Sequence, residues 1–339
     1  MIRWRKRFTA ALMLLLFAVY PLQSRALGPG TMLRPVGRAV AIRLETDGVL
    51  IAGLASVKTA EGECSPAKDA GLRPGDRITG IGGKKISTRE DFLAETSAIS
   101  GEVISIRADR DGEEREYAVQ PVMGLSGAWY LGLWLRDGIA GIGTVTFQDP
   151  ESGLFGALGH GVNADGGERL TPITGGVIGA AEINEARLGS CGRPGELIGS
   201  QMGEMTLGTV EKNTKAGIFG EASELNGEQA LPAAGEDEIT LGAATILSTV
   251  GPGEPREYSV EITRISRGLE DVRQIALTVT DPILLERTGG IVQGMSGSPI
   301  LQNGKLIGAV THVLVEDPMR GYGVTIERML EECRDTAAA

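Results

Sequence analysis

The chain has 339 residues, enough for two modest units with cores of their own. Its 50 glycines against 4% aromatics favour many short strands joined by tight turns over a helical bundle. A net charge of −11 argues against nucleic acid as a partner, because phosphate binding needs clustered Lys and Arg, and the isolated runs RWRKR and GGKK do not supply it.

The first of those runs, Arg3 to Arg7, precedes an apolar stretch from Phe8 to Tyr20, and Ser24 and Ala26 follow at the spacing a signal peptidase requires. Residues 1–30 therefore read as a secretory signal or an N-terminal membrane anchor, and the protein is expected outside the cytoplasm, secreted or membrane-anchored. Removing residues 1–26 leaves 28 basic residues against 44 acidic ones.

Residues 31–122 read as a first unit. AVAIRLETDGVLIAGLASV suggests two strands around the turn Asp47-Gly48. A short helix from Pro66 to Ala70 should end at Gly71, and Gly82-Gly83 should turn a hairpin. Ser87 and Glu90 stand at capping-box spacing, opening a helix whose inner face carries Phe92, Leu93, Thr96 and Ile99. VISIRADR and EREYAVQPV close the unit as strands around Asp111-Gly112. The run AGLRPGDRITGIGGKKI followed by a capped helix resembles a PDZ domain of the permuted type found in bacterial extracytoplasmic proteases. That resemblance implies an α+β unit that adds an extended peptide to a sheet edge and grips its terminal carboxylate. The loop Pro35, Val36, Gly37 and Arg38 is where such a ligand is expected.

Residues 123–339 read as a second unit. Short strands such as AATILSTV, REYSVEITRI, RQIALTVT and KLIGAVTHVLV, with turns every eight to twelve residues, argue for a β-barrel or sandwich. Helical periodicity appears only at IERMLEEC. Three scattered cysteines, Cys64, Cys191 and Cys333, form neither a disulfide framework nor a metal-ligand spacing, and two histidines are too few for a His-rich metal site. No metal or other cofactor is expected.

The chemistry concentrates in GMSGSP, Gly294 to Pro299. It has the Gly-X-Ser-Gly form of the nucleophile loop in chymotrypsin-like proteases. Small neighbours let a carbonyl approach Ser296, and the N–H groups of Gly294 and Ser296 can converge on an oxyanion. Ser298 is the fallback nucleophile. Only two histidines can serve as base. His160 lies between glycines in GALGHGV, free to approach a substrate, whereas His312 lies in the apolar alternating strand IGAVTHVLV and reads as structural. The orienting carboxylate is open between Asp165, five residues after His160, and Asp281, fifteen residues before Ser296. Asp281 also fits the start of a helix or turn at Asp-Pro.

The arrangement LGHG, TKAGIFG and TDPILLERTGGIVQGMSGSPILQNGKLIGAVTHVLVEDPMRGYGV, behind a PDZ unit, closely resembles the SpoIVB peptidases of endospore-forming bacteria. The resemblance implies a mainly β chain in which a PDZ domain is followed by a chymotrypsin-like β-barrel serine peptidase. It implies an endopeptidase acting between the forespore membranes on a membrane-embedded regulator, thereby triggering intramembrane proteolysis and sigma-factor activation, with self-processing. It carries the nucleophile to Ser296, the base to His160 and the acid to Asp281. The competing expectations are a non-catalytic PDZ-bearing signalling module and an HtrA-like quality-control protease.

Overall fold

The computed structural model describes residues 28–334 except 165–168, 224, 226, 269 and 270. The expected N-terminal signal lies outside the described residues.

Alternating burial generates the strands. In Arg256–Ile265 the residues Tyr258, Val260 and Ile262 point inward while Glu257, Ser259 and Glu261 face water, the period of two that buries one face of a sheet. Six such strands, Gly242–Ser248, Arg256–Ile265, Ile275–Val279, Asp317–Thr325, Lys305–Leu314 and Pro299–Gln302, close into a barrel in that spatial order. Ile246, Val260, Leu277, Ile300 and Val310 fill it. The first barrel in chain order, to which that of 242–325 is the second, is another ring of six through Leu154–Ala157, Gly217–Ala222, Glu196–Thr214, Gly175–Arg187, Ala39–Glu45 and Ile139–Gln148, and closes where strand 139–148 pairs with 154–157. Val40, Val145, Phe155, Ile178 and Ile218 pack inside it. Between the barrels the C-terminal helix Ile326–Arg334 lays Ile326, Met329 and Leu330 against Phe147, Phe219 and Val324.

The expected PDZ unit forms a sheet of Leu133–Arg136, Val49–Leu54, Arg77–Ile81, Ile104–Arg110 and Glu113–Val119, covered by the helices Pro66–Asp69 and Arg89–Thr96. Its boundaries differ from the expected 31–122. Strands Met32–Pro35 and Ala39–Glu45 belong to the first barrel: the latter pairs with 139–148 on one side and 175–187 on the other. Asp47-Gly48 therefore turns no hairpin. The chain leaves the barrel there and returns at Asp137-Gly138, so the PDZ sheet replaces the turn between two antiparallel barrel strands registered Leu44 to Ile139. The second helix is capped one residue later than the sequence suggests. Thr88 Oγ1 accepts from Asp91 N–H at 3.1 Å, and the Asp91 carboxylate accepts from Thr88 N–H at 3.0 Å. Phe92 is buried as expected, but Leu93 is exposed.

The PDZ unit also buries an ion pair beside its apolar core of Val49, Ile78, Phe92 and Ile106. Asp76 is 1% exposed, and its carboxylate takes two 2.6 Å hydrogen bonds from Arg110 and one of 2.8 Å from Arg73 N–H. Removing one partner strands the other charge away from water, at a cost of roughly 3–5 kcal/mol. Asp76→Ala is therefore expected to lower the unfolding free energy measured by urea titration by an amount of that order, with a correspondingly lower midpoint; an unchanged midpoint would contradict a structural role for the pair.

Candidate active site

The candidate residues meet at the seam between the barrels. Strand 154–157 ends in a turn in which Leu158 and Gly159 take positive φ and His160 follows. Ser296 sits in the loop just ahead of strand 299–302 of the other barrel. Both line one cleft of about 460 Å³, together with Gly294 and His312. Aliphatic side chains make most of its walls, including Ile42, Ile139, Ile142 and Val313, and among the described residues no Asp, Glu, Lys or Arg lines it.

The glycines of GMSGSP are there for close approach. Gly297 has φ +96°, and a Cβ on it would lie 2.0 Å from the Thr144 carbonyl oxygen. Gly294 has φ +98°, with Leu197 against the space a side chain would need. Their backbone lets the loop fold back on itself: Met295 N–H donates to Val292 O at 3.1 Å and Ser298 N–H to Met295 O at 2.9 Å. The carbonyl of Gln293 accepts from Leu197 N–H at 2.8 Å. In a trans peptide this sends the Gly294 N–H the opposite way. Neither that N–H nor the Ser296 N–H has a partner among the described residues. Two free donors two residues apart on such a turn are the makings of an oxyanion hole.

The Ser296 hydroxyl donates to the Thr311 carbonyl at 2.8 Å. Across the cleft the imidazoles of His160 and His312 lie 4.9 Å apart, centroid to centroid, tilted by 40°. His160 Nδ1 is 2.9 Å from the carbonyl oxygen of Gly161. A carbonyl only accepts, so Nδ1 carries the proton and Nε2 is left with a lone pair. Burial lowers the pKa of His160, partly opposed by that hydrogen bond. His312 is pushed down to about 4 by burial, with His160 and Arg273 adding to the effect and Asp271 opposing it. Both rings are neutral at pH 7, the state a general base requires.

Three expectations need correction. Asp281 does not reach His160. It caps the helix Pro282–Thr288, its carboxylate accepting from Ile283 and Leu284 N–H at 2.9 and 3.1 Å, and it also accepts from Ser259 N–H. The Asp-Pro helix start prevails over the orienting acid, and the Gly161 carbonyl occupies the place next to the imidazole. His312, expected to be structural, faces the cleft, and its Nδ1 is buried without a hydrogen-bond partner among the described residues. Its being one of only two histidines was the signal in the sequence. Pro35, Val36, Gly37 and Arg38 lie in the first barrel, where Val36 and Gly37 donate to Thr146 and Val145 and Arg38 pairs with Glu254. Among the described residues the PDZ sheet has two outer strands, 113–119, which pairs with 104–110 alone, and 133–136, which pairs with 49–54 alone and exposes Trp134. Asp165 lies outside the described residues. Ser298 is fully buried and donates to Ser248 Oγ at 2.9 Å, which removes it as a nucleophile.

Residues 127–330 match the family model for SpoIVB peptidase S55, and residues 59–110 match that of a PDZ domain. A comparison with curated proteins finds no match. Among solved structures, the PDZ domain of the SdrC-like protein Lmo2051 from Listeria monocytogenes is 24% identical, covering 27% of this chain and 92% of its own, with TM-score 0.22. The Rv3671c protease of M. tuberculosis in its active form is 16% identical, covering 59% of this chain and 76% of its own, with TM-score 0.37. Its inactive form is 16% identical over 58% and 85%, with TM-score 0.35.

Two outcomes follow for Asp281 and the imidazoles. Asp281→Asn, which can still cap the helix, is expected to keep activity within a few-fold, whereas Asp281→Ala loses about 1 kcal/mol of stability; a thousand-fold loss of activity in the Asn variant would restore the carboxylate to the mechanism. The unfolded chain takes up protons at its histidines near pH 6.5, whereas folded His312 does so only near 4. Stability therefore falls as the pH drops from about 6.5 to about 4, which thermal melts across that window measure; the His312→Asn variant should show a shallower slope.

Proposed function

Because the chain belongs to the SpoIVB peptidase S55 family, and is accordingly a serine peptidase carrying a PDZ domain, we propose that it works as a regulatory endopeptidase through Ser296 and His160. The observation that carries the residue assignment is the pair of free N–H groups, Gly294 and Ser296, on a cleft shared with a neutral His160.

In this mechanism Ser296 turns about χ1, away from Thr311, and hands its proton to Nε2 of His160. Its oxygen attacks a peptide carbonyl carbon, and the developing oxyanion accepts from Gly294 and Ser296 N–H. The imidazolium then protonates the leaving amine as the C–N bond breaks, and water repeats the sequence on the acyl-enzyme. The Gly161 carbonyl holds the ring in the productive tautomer without supplying a charge. Aliphatic walls favour an apolar segment of substrate around the scissile bond.

Family resemblance, the PDZ unit and the basic-then-apolar N-terminus support the narrower role. In it the substrate is a membrane-embedded regulator of an intramembrane protease, met outside the cytoplasm during sporulation, and the enzyme also processes itself. The PDZ unit would recruit the substrate as an added strand, and the edge at 133–136 suits that better than the loop at 35–38.

A fluorophosphonate probe is expected to label the wild-type protein, to leave Ser296→Ala unlabelled, and to react with His160→Gln at least ~1,000-fold more slowly. Equal labelling of Ser296→Ala would overturn the nucleophile. For the narrower role, a single discrete cut in a membrane-anchored partner is expected; general digestion of unfolded casein would overturn it.

A further inference from the structure

The nucleophile loop is anchored from the opposite barrel by one side chain. Thr144 lies on strand 139–148 and is completely buried. Its Oγ1 donates to the carbonyl of Gly294 at 2.8 Å, 150 residues away in sequence. Its N–H donates to the carbonyl of Ser296 at 3.0 Å, and its own carbonyl accepts from Leu158 N–H at 3.1 Å, two residues before His160. One residue thus touches both members of the candidate oxyanion hole and the turn that presents the base.

We propose that the Thr144 hydroxyl is a positioning group of the catalytic centre, fixing the peptide unit after Gly294 so that the Gly294 and Ser296 N–H groups converge. This rests on Ser296 being the nucleophile. Glycine has the softest backbone of any residue, and at φ +98° nothing of its own holds ψ in place. The peptide unit before Gly294 is fixed by Leu197 through Gln293. The unit after it has the Thr144 hydroxyl on its oxygen and Val292 on its N–H. Without the hydroxyl, a buried carbonyl loses its donor and turns to find another. That turn rotates the backbone between the two N–H groups, whose distances to an oxyanion must hold to a few tenths of an ångström. The interaction counts in the transition state and not in ground-state binding, so its loss should appear in the rate of the covalent step.

The Thr144→Val variant removes the hydroxyl while keeping the volume, the β-branch and the backbone bond to Ser296; Thr144→Ser keeps the hydroxyl. Each is titrated with a fluorophosphonate probe, whose phosphoryl oxygen sits where the oxyanion forms, to separate the limiting labelling rate from the half-saturating concentration. Thr144→Val is expected to lower the limiting rate by about 10- to 100-fold with half-saturation unchanged, and Thr144→Ser to recover it to within about three-fold. Labelling of Thr144→Val at the wild-type rate would overturn the proposal while leaving Ser296 as nucleophile. Equal slowing in Thr144→Ser would overturn it too, because the hydroxyl would not be the cause. An unlabelled wild-type protein would remove the reading of Ser296 itself.

Discussion

The seating of the Ser296–Gly297 turn on strand 139–148 makes one site out of two barrels. Each barrel closes on its own hydrogen bonds, and a shared apolar cluster that includes Phe147, Phe219, Leu306 and Val324 packs the two together. At the site their relation is fixed where Gly297 passes so close to Thr144 and Leu158 that a methyl group would overlap backbone atoms, and where Gly297 N–H turns to Val310 on the far side. His160 leaves the same place, because the turn that presents it begins at Leu158. Base, nucleophile and oxyanion donors thereby share a single reference point. Close packing of this kind transmits displacement, since there is no free volume to absorb it.

The electrostatics of the cleft are spare. Among the described residues no carboxylate or ammonium group lines it, and both imidazoles are held neutral by burial. Charge would appear only during reaction, on the oxyanion and on His160, and fixed dipoles would meet it: two backbone N–H groups on one side and one backbone carbonyl on the other. Dipoles held by the fold need no reorganisation when charge develops, which gives them their effect in a water-poor site. Burial works against protonation of His160, and His160, whose ring centroid lies 4.9 Å away, adds to the effect of burial on His312.

What could be read from the sequence was what local chemistry determines. Glycines at 294 and 297 announced a tight turn around Ser296, and alternating burial announced the strands of the second barrel. The capping box was visible to within one residue, Thr88 and Asp91 in place of Ser87 and Glu90, because adjacent polar residues offer competing oxygens. Misreadings arose where a distant partner decides. Ala39–Glu45 alternates well enough to pair with 49–54 across Asp47-Gly48, and only its register with 139–148, a hundred residues on, places it in the barrel. Resemblance to the SpoIVB peptidases carried the orienting acid to Asp281, yet helix N–H groups two and three residues away claim its carboxylate. His312 looked internal because its neighbours are apolar, but those neighbours include the walls of a cleft.

A PDZ unit standing where a hairpin would have its turn also bears on the order in which the chain can assemble. Residues 46–138 separate two strands that must lie side by side, and a flexible loop of that length is closed at an entropic cost that a two-residue turn never meets. The folded unit removes the problem, since pairing of Leu50 with Arg136 brings both ends of the insertion together at the mouth of the hairpin. Synthesis runs in the helpful direction: every strand of the PDZ sheet is complete before Ile139 is made. A folded PDZ sheet thus holds the ends of strands 39–45 and 139–148 side by side, which lowers the entropic cost of closing the first barrel and, with it, of forming the cleft that contains His160 and Ser296.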